Sequence, residues 1–410
     1  MISVASTSSL RIAHVADTHL GAGYVHGDEG KGGVNSRLVD FQNAWLRSCG
    51  QMVDEQVDLV LFAGDAFRDA KPTPTEQAAF REGLDAFAEA GIPVVMIPGN
   101  HDLARQVGRT NALAIFSEYP NVTVMDRPGV VFGGDVLLPI ACLPYPMRAH
   151  LAARDPEFEQ LSLDEQNAKM VDLSLQVLRS LGAEAEKLAG PFGCVLVAHG
   201  TIAGSAMGAE QGTQFLREAV LPLNELRGLP FRYQAWGHLH RLQALEPHIW
   251  YSGSIERNDF AEASEEKGWL LVEIDEDGLR YVQGESSGAR DFVDIDLAED
   301  IEQGLDELVA GNVVDVRGAV VRVKYTATPE VARTVDHAAI RRALYAAGAV
   351  KVHGPFATIT RTVTEKAEGL DESTGMGQGW KQWADLQGLT GAQRTRLDDK
   401  VQTALEVCGG

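Results

Sequence analysis

Short apolar runs alternate with longer amphipathic segments through roughly the first two thirds of the chain. The runs have the length and composition of buried strands, and five of them lie at 10–16, 59–63, 92–97, 194–198 and 233–236. The amphipathic segments carry apolar residues at helical spacing. They predict helices at 36–56, 75–90, 104–118 and 155–188. Strands that alternate with helices in this way predict an α/β fold.

Further short strands are predicted at 121–125, 129–132, 136–142 and 249–251, and a hairpin joins 269–274 to 279–282. The pattern changes at a Gly/Ser-rich join near residue 285. Beyond it, strands at 292–297, 320–325 and 350–362 and helices at 299–309 and 336–347 predict a small α+β unit. A Gly-rich linker at 366–379 and a last helix at 390–406 follow. We therefore predict domains at 1–285 and 288–365 and a tail at 366–410.

Composition and charge indicate a globular protein and argue against passive binding to nucleic acid. The 410 residues are 45% hydrophobic and 23% charged, which is typical of a globular protein, and the formal net charge is −22. Passive binding to nucleic-acid phosphates needs clustered Lys and Arg, so phosphate affinity here would have to come from metal ions or a partner. The four cysteines have no disulfide-like or metal-like spacing. Without a signal-like start or a membrane-length apolar run, we expect a cytoplasmic protein with no membrane association.

Polar side chains with metal-binding chemistry follow five of the predicted strands. These residues are Asp17 and His19, Asp65, Asn100 and His101, His199, and His238 and His240. In an open α/β fold, functional groups gather at the carboxyl ends of the strands, so residues far apart in sequence can share one site. Carboxylate, amide and imidazole donors without thiolate suit Mn²⁺, Fe²⁺ or Zn²⁺. The set predicts a centre with two metal ions.

The order of these residues resembles the signature of the calcineurin-like metallophosphoesterases. Each position of that signature is filled, over roughly residues 10–275, by Asp17-x-His19, Gly64-Asp65, Gly99-Asn100-His101-Asp102, His199 and Gly237-His238-x-His240. The resemblance implies a four-layer α/β/β/α sandwich. It also implies that Asp17, His19, Asp65 and His240 hold one ion, and that Asp65, Asn100, His199 and His238 hold the other.

Further stretches resemble the SbcD DNA-repair nucleases more narrowly. They are Asp17 to Gly21, Leu143-Pro144-Tyr145, Trp236 to His240, and Tyr251 to Arg257 continuing through Glu262 to Lys267-Gly268. Arg68 departs from this family, which usually has Asp at that position. The resemblance implies two divalent ions, most often Mn²⁺, with His101 protonating the leaving oxygen. Asp102 would either orient His101 or cap the following helix.

The same resemblance implies the biological setting. It implies 3′→5′ exonuclease activity on duplex DNA ends and endonuclease activity on single strands. The resemblance also implies an SbcC-like ATPase partner, homodimerisation through the phosphoesterase domain, and a capping domain that orients DNA. Trp380, Trp383 and the stripe from Leu397 to Leu405 either dock such a partner or form ordinary core.

Other interpretations stay open at this stage. Taken singly, Asp17 and Asp65 could cap helices, His199 could be a hydrogen-bonded strand-end residue, and His14 on a core strand could be structural. Tyr145 and Arg257 could contact DNA or simply pack. As a whole, the chain could be a phosphodiesterase for small substrates such as cyclic nucleotides. Alternatively, it could be a non-catalytic scaffold that recruits DNA ends.

Overall fold

The structure is a computed structural model. It describes residues 9–30, 32–104, 110–153, 155, 157–206, 218–297, 315–360 and 376–407.

The first of two large sheets contains the strand that leads to Asp17. Its six strands lie in the order β14-β13-β1-β2-β3-β4. Their bounds are β1 Ser9–Val15, β2 Leu59–Phe62, β3 Val94–Met96, β4 Val122–Val124, β13 Gly268–Asp275 and β14 Gly278–Ser286. Strands β1 to β4 are parallel, whereas β13 pairs antiparallel with both β1 and β14. The predicted hairpin is confirmed, with Asp275 opposite Gly278.

The second sheet also has six strands, in the order β11-β12-β10-β7-β6-β5. Their bounds are β5 Gly129–Gly133, β6 Val136–Leu143, β7 Val195–His199, β10 Tyr233–Gly237, β11 Gln243–Glu246 and β12 Ile249–Tyr251. Two short strands, β8 Thr201–Ile202 and β9 Val220–Leu221, pair in parallel beside it. Strands β6, β7, β10 and β12 run parallel, so their carboxyl ends lie at one edge.

Helices cover the outer faces of both sheets. The five helices described before residue 285 are α1 Ser36–Asp54, α2 Pro74–Ala90, α3 Arg148–Ala152, α4 Leu163–Leu188 and α5 Leu223–Arg227. Both α2 and α4 begin with a capping box, formed by Thr73 with Glu76 and by Ser162 with Glu165. The second box explains why the helix predicted from residue 155 begins only at Leu163.

Three hydrophobic clusters show that the expected four-layer sandwich is correct. One cluster joins α1 and α2 to the first sheet, and another joins α4 to the second sheet. Between the sheets, Ile12 and Leu61 of the first pack with Ile140 and Val195 of the second, all fully buried. Burial of so many large aliphatic side chains, each contributing about 1.5–3 kcal/mol, fixes the sheets against each other.

A third, smaller sheet follows the sandwich. Its strands are β15 Phe292–Asp296, β16 Val320–Ala327 and β17 Lys351–Ile359, all parallel. Helices α6 Pro329–Ala332 and α7 His337–Ala346 belong to this part of the chain, where Ile340 and Leu344 are core residues. These elements confirm the small α+β unit. The helix predicted at 299–309 lies outside the described residues, and the domain boundaries stay a prediction.

Two helices form the described end of the chain, α8 Met376–Leu386 and α9 Gly391–Val407. The predicted last helix is confirmed, but the linker prediction is wrong for 376–379, which lie in α8; residues 366–375 lie outside the described residues. Trp380 and Trp383 lie 5.2 Å apart between ring centres, and Trp380 Nε1 donates to Asp398 of α9 at 2.6 Å.

One other helix prediction is wrong. Within 104–118 the described residues contain only a short 3-10 turn at Ala114–Phe116, and residues 105–109 lie outside the described part. None of the described helices combines the length and the apolar character needed to span a bilayer.

Candidate metal centre

The structure brings the predicted site residues together at one edge of the sandwich. Strands β1, β2 and β3 of the first sheet and β7 and β10 of the second each end beside this edge. The loops after them carry Asp17, His19, Asp65, Asn100, His101, His238 and His240, while His199 is the last residue of β7. The two sheets therefore contribute donors from opposite sides.

The first group of donors comprises Asp17, His19, Asp65 and His240. The Nε2 atoms of His19 and His240 are 2.9 Å apart. His19 Nε2 lies 3.8 Å from Asp17 Oδ1 and 3.7 Å from Asp65 Oδ2. All four side chains are almost fully buried, so their donor atoms face one another rather than solvent.

The second group comprises Asp65, Asn100, His199 and His238. His199 Nε2 lies 3.3 Å from Asp65 Oδ2 and 3.0 Å from Asn100 Oδ1. The same amide oxygen lies 2.9 Å from His238 Nδ1. Asp65 therefore belongs to both groups and lies between them.

Unusual backbone angles place these side chains. Asp17, His19, Asp65 and His238 have φ values of 53°, 40°, 58° and 108°, in the left-handed region that most side chains avoid. Each such conformation costs about 1–3 kcal/mol and is found mainly at functional sites. Gly99 is needed for a different reason, because a Cβ there would lie 2.2 Å from Asp65 Oδ1.

Backbone hydrogen bonds fix the orientation of several donors. The N–H of His238 donates to Asp17 Oδ2 at 2.9 Å, and the N–H of His101 donates to Asp65 Oδ1 at 2.8 Å. His199 Nδ1 lies 2.6 Å from the Ala63 carbonyl oxygen. Because a carbonyl can only accept, Nδ1 carries the proton, and Nε2 is the nitrogen that faces Asp65 and Asn100.

The electrostatics indicate that the site lacks positive charge. Burial, reinforced by the charge of Asp65, raises the pKa of Asp17 to about 6. Burial alone would lower the pKa of His199, but the Asp65 carboxylate outweighs it and raises this pKa to about 9. Burial and the neighbouring His240 hold the pKa of His19 well below its usual value. The crowded carboxylates thus favour a positive charge among these donors, which a divalent cation would supply.

The donor set fits two divalent cations. Three groups of side chains each place their ligand atoms within 4.8 Å of one another. They are Asp17, His19 and His240; His19, Asp65 and His101; and Asp65, His199 and His238. Oxygen and imidazole donors suit Mn²⁺, Fe²⁺ or Zn²⁺. The described cysteines, Cys49, Cys142 and Cys194, are buried and are not members of these groups.

His101 lies beside the first group but is exposed. Its ring centre is 4.9 Å from that of His19, and its Nδ1 donates to the Arg68 carbonyl at 2.7 Å. That bond fixes the ring so that Nε2 is the nitrogen available to exchange a proton with a substrate. The backbone of Arg68, at the position that departs from the SbcD-like pattern, thereby positions His101.

Asp102 has a different role from either one predicted. Among the described residues, its carboxylate accepts the N–H groups of Asp65, Ala66, Phe67 and Gly99 at 2.8–3.3 Å, and neither the His101 ring nor the start of a helix is bonded to it. Asp102 is fully buried. Burial and the charge of Asp65 raise the pKa of Asp102 to about 7, against the effect of these N–H donors. The hydrogen bonds of the Asp102 carboxylate connect the loop after β2 to the loop after β3, and so position Asp65 and Asn100.

Replacing Asp102 by Ala should lower the free energy of unfolding by about 3–5 kcal/mol, because the change leaves several buried N–H groups without an acceptor. Urea denaturation followed by circular dichroism measures the change. Asp135→Ala provides the matched control, since Asp135 is exposed in the turn between β5 and β6. Equal stabilities of the two variants would contradict this role.

The two predicted substrate contacts differ in their surroundings. The guanidinium of Arg257 donates to the carbonyls of Arg290 and Glu265 at 2.9 Å and 3.0 Å. These contacts agree with the packing role considered for Arg257, and its contact with DNA stays a prediction. Tyr145, in contrast, lies 5.9 Å from the ring of His238 and lines a cavity of about 240 Å³ beside His199.

Two site residues were not predicted from the sequence. Glu218 Oε2 lies 2.9 Å from His238 Nε2, and Glu262 Oε1 lies 2.9 Å from His240 Nδ1. Glu262 falls in the SbcD-like stretch, but Glu218 follows no strand motif and carried no sequence signal. His14 packs between the sheets, with Nδ1 2.9 Å from the Tyr233 hydroxyl oxygen, so it is a structural core residue.

A four-layer sandwich with paired acidic and imidazole groups at the shared strand edge defines a metal-dependent hydrolase. The sequence profile of the calcineurin-like phosphoesterases matches residues 10–242, more than half of the chain. The protein belongs to the calcineurin-like phosphoesterase family, and it is a metallophosphoesterase. Members of this family use a pair of divalent metal ions.

Among characterised proteins, the chain is similar to the SbcD component of the SbcCD nuclease of Bacillus subtilis, with 28% identity over 279 residues, covering 64% of this chain and 66% of that protein. It is also similar to the DNA double-strand break repair protein Mre11 of Haloferax volcanii, with 30% identity over 154 residues, covering 38% and 32%. The chain thus spans less than two thirds of either relative. A solved dimetal phosphatase from Danio rerio has 12% identity and a TM-score of 0.42, covering 68% and 97%.

Proposed function

We propose that this metallophosphoesterase is a DNA nuclease that hydrolyses phosphodiester bonds with two divalent ions, most often Mn²⁺. The observation that carries the proposal is the complete set of oxygen and imidazole donors, with Asp65 between the two groups, in a chain whose relatives include a protein named as part of a nuclease. We further propose 3′→5′ exonuclease activity on duplex ends and endonuclease activity on single strands.

The proposed roles follow the two donor groups. Asp17, His19, Asp65 and His240 would hold one ion, and Asp65, Asn100, His199 and His238 the other. Two ions held there would supply the positive charge that binds a phosphodiester and lowers the pKa of water toward about 7. His101 would donate the proton of Nε2 to the leaving oxygen, while the Arg68 carbonyl holds its ring in place.

The cavity beside the second donor group is the proposed contact for the substrate's nucleotides. Its walls include Leu143, Tyr145, Met170 and Leu221, so an aromatic ring and aliphatic side chains lie next to His199. A nucleobase next to the cleaved bond could stack on Tyr145, and such stacking contributes about 1–3 kcal/mol per base. This arrangement favours DNA over a small phosphodiester without a base.

The biological setting is also a proposal. A chain with a net charge of −22 has little long-range attraction for DNA, which fits a protein that depends on an SbcC-like ATPase partner. We also propose homodimerisation through the phosphoesterase domain. We assign nuclease activity to residues 1–285 and DNA orientation to 288–365. Partner docking is assigned to 366–410, where Trp380 and Trp383 lie.

A nuclease assay tests the proposed function. End-labelled duplex DNA and circular single-stranded DNA are incubated with the protein and Mn²⁺, Mg²⁺ or EDTA, beside bis-p-nitrophenyl phosphate as a small phosphodiester. We expect Mn²⁺-dependent cleavage of both DNA substrates and none in EDTA. Hydrolysis of the small phosphodiester alone would favour the small-substrate enzyme. DNA binding without hydrolysis of any substrate, with the ATPase partner present, would favour the scaffold.

A further inference from the structure

Three histidine rings at the end of the second sheet each form a hydrogen bond through the ring nitrogen that points away from the other donors. This is the outer nitrogen, and the one that faces the other donors is the inner nitrogen. For His199 the partner is the Ala63 carbonyl, and for His238 it is Glu218. For His240 it is Glu262 at 2.9 Å, with the side-chain amide of Asn258 also 3.0 Å from the same nitrogen. A carbonyl or an ionised carboxylate can only accept, so each partner fixes a proton on the outer nitrogen. The inner nitrogens therefore present lone pairs to the centre of the site.

Two of the inward-facing lone pairs lie close together around Asn100. The amide oxygen lies 3.0 Å from His199 Nε2 and 2.9 Å from His238 Nδ1, which are the two inner nitrogens. Three acceptor atoms so close together repel one another unless a cation or a proton lies among them. Glu218 helps to create this arrangement, because it keeps the proton of His238 on the outer nitrogen.

Glu218 and Glu262 have different surroundings. Glu262 is 1% exposed, and its second oxygen lies 2.7 Å from Lys267 Nζ, so a buried ammonium neutralises it. The side chain of Glu218 is 15% exposed and accepts from the neutral hydroxyl of Thr201 at 3.0 Å. It also lines the cavity that contains Tyr145.

We propose that Glu218 is a positioning residue for the metal ion held by Asp65, Asn100, His199 and His238, and that Glu262 has the same role toward the other ion through His240. Carboxylates that accept from the outer nitrogen of a metal-bound imidazole fix its tautomer and raise its basicity. The inference rests on the metal pair of the proposed site and does not depend on DNA being the substrate.

The test is metal binding by the full chain, measured by isothermal titration of Mn²⁺ into metal-free protein. Removing such a partner lowers metal affinity about 10–100-fold. We expect Glu218→Gln to weaken one of the two sites by that factor and to leave the other unchanged. Glu262→Gln should weaken the opposite site. Glu225→Gln is the matched control, because Glu225 lies on α5 in an exposed ion pair with Arg179, and it should change neither site.

A second variant identifies which ion Glu218 serves. If Glu218 acts through the ion that Asn100 binds, Glu218→Gln should add little to the loss already caused by Asn100→Ala. If the losses of Mn²⁺ affinity from Glu218→Gln and Asn100→Ala were additive, Glu218 would not act through the ion that Asn100 binds, and the proposal would be overturned. Unchanged affinities in Glu218→Gln, or a wild-type protein that binds fewer than two Mn²⁺ ions, would also overturn it. Circular dichroism of each variant shows whether the fold is kept, and Glu218→Asp should restore part of the affinity if Gln proves unstable.

Activity gives an independent readout. Hydrolysis by Glu218→Gln should require a Mn²⁺ concentration about 10–100 times that of the wild type and then recover. An activity loss that excess Mn²⁺ does not restore would contradict a role in metal positioning. If the metal affinities change as expected but DNA is not cleaved by the wild type, the proposed function fails and this inference stands.

Discussion

Replacing Asp65 by Asn should reduce hydrolysis of every phosphodiester substrate by at least about 10³-fold, the equivalent of roughly 4 kcal/mol of transition-state stabilisation. Asp65 Oδ2 lies 3.3 Å from His199 Nε2 and 3.7 Å from His19 Nε2, so this carboxylate serves both donor groups. Asn keeps the shape of the side chain but removes the negative charge between the two proposed ions. The loss should affect kcat more than KM, because the cavity proposed to contact the substrate is unchanged.

Mn²⁺ titration and steady-state hydrolysis of bis-p-nitrophenyl phosphate measure the two effects of Asp65→Asn. Both ions should bind more weakly, in contrast to Glu218→Gln, which should weaken one. Asp69→Asn provides the control, because Asp69 is an exposed carboxylate four positions later, 3.4 Å from Arg68 Nε. Wild-type turnover in Asp65→Asn would show that this residue does not bridge the ions and would remove the basis of the proposed site.

Much of the sandwich could be predicted because its strands are short, apolar and bounded by turn residues. Burial on both faces gives β2 and β7 continuous apolar sequences, and their ends are marked by Gly64 and Gly200. The capping boxes of α2 and α4 are also visible in the sequence. The wrong helix at 104–118 has a clear origin, since apolar residues such as Leu113 and Phe116 are core residues that need no helix.

The site could be predicted only as a set of residues, because their order follows the strands while their contacts depend on loops. Asp102 illustrates the limit. Its position beside His101 suggested a partnership, yet its carboxylate binds the backbone of a loop that is more than thirty residues away in sequence. Glu218 could not be found at all, since its contact with His238 depends on the pairing of β8 with β9. Contacts of this kind require the folded chain.

Replacing His101 by Gln should lower kcat on DNA by about 10²–10⁴-fold while both Mn²⁺ affinities stay close to those of the wild type. His101 is exposed and fixed by the Arg68 carbonyl, in contrast to the buried donors. Gln can still hydrogen bond to that carbonyl, but it cannot donate a proton to a leaving alkoxide. Single-turnover cleavage of end-labelled duplex DNA measures the effect. His248→Gln, a change in a turn of the second sheet, should have no effect on this rate.

The leaving group distinguishes proton donation from metal binding. A 3′ or 5′ oxygen of DNA leaves as a strongly basic alkoxide and needs a proton, whereas p-nitrophenolate is a stable anion and does not. His101→Gln should therefore impair hydrolysis of bis-p-nitrophenyl phosphate far less than hydrolysis of DNA, while Asp65→Asn should impair both equally. An equal loss on the two substrates in His101→Gln would assign His101 to metal binding, a role that its membership of a group with His19 and Asp65 also allows. An unequal loss would identify His101 as the general acid of this phosphoesterase.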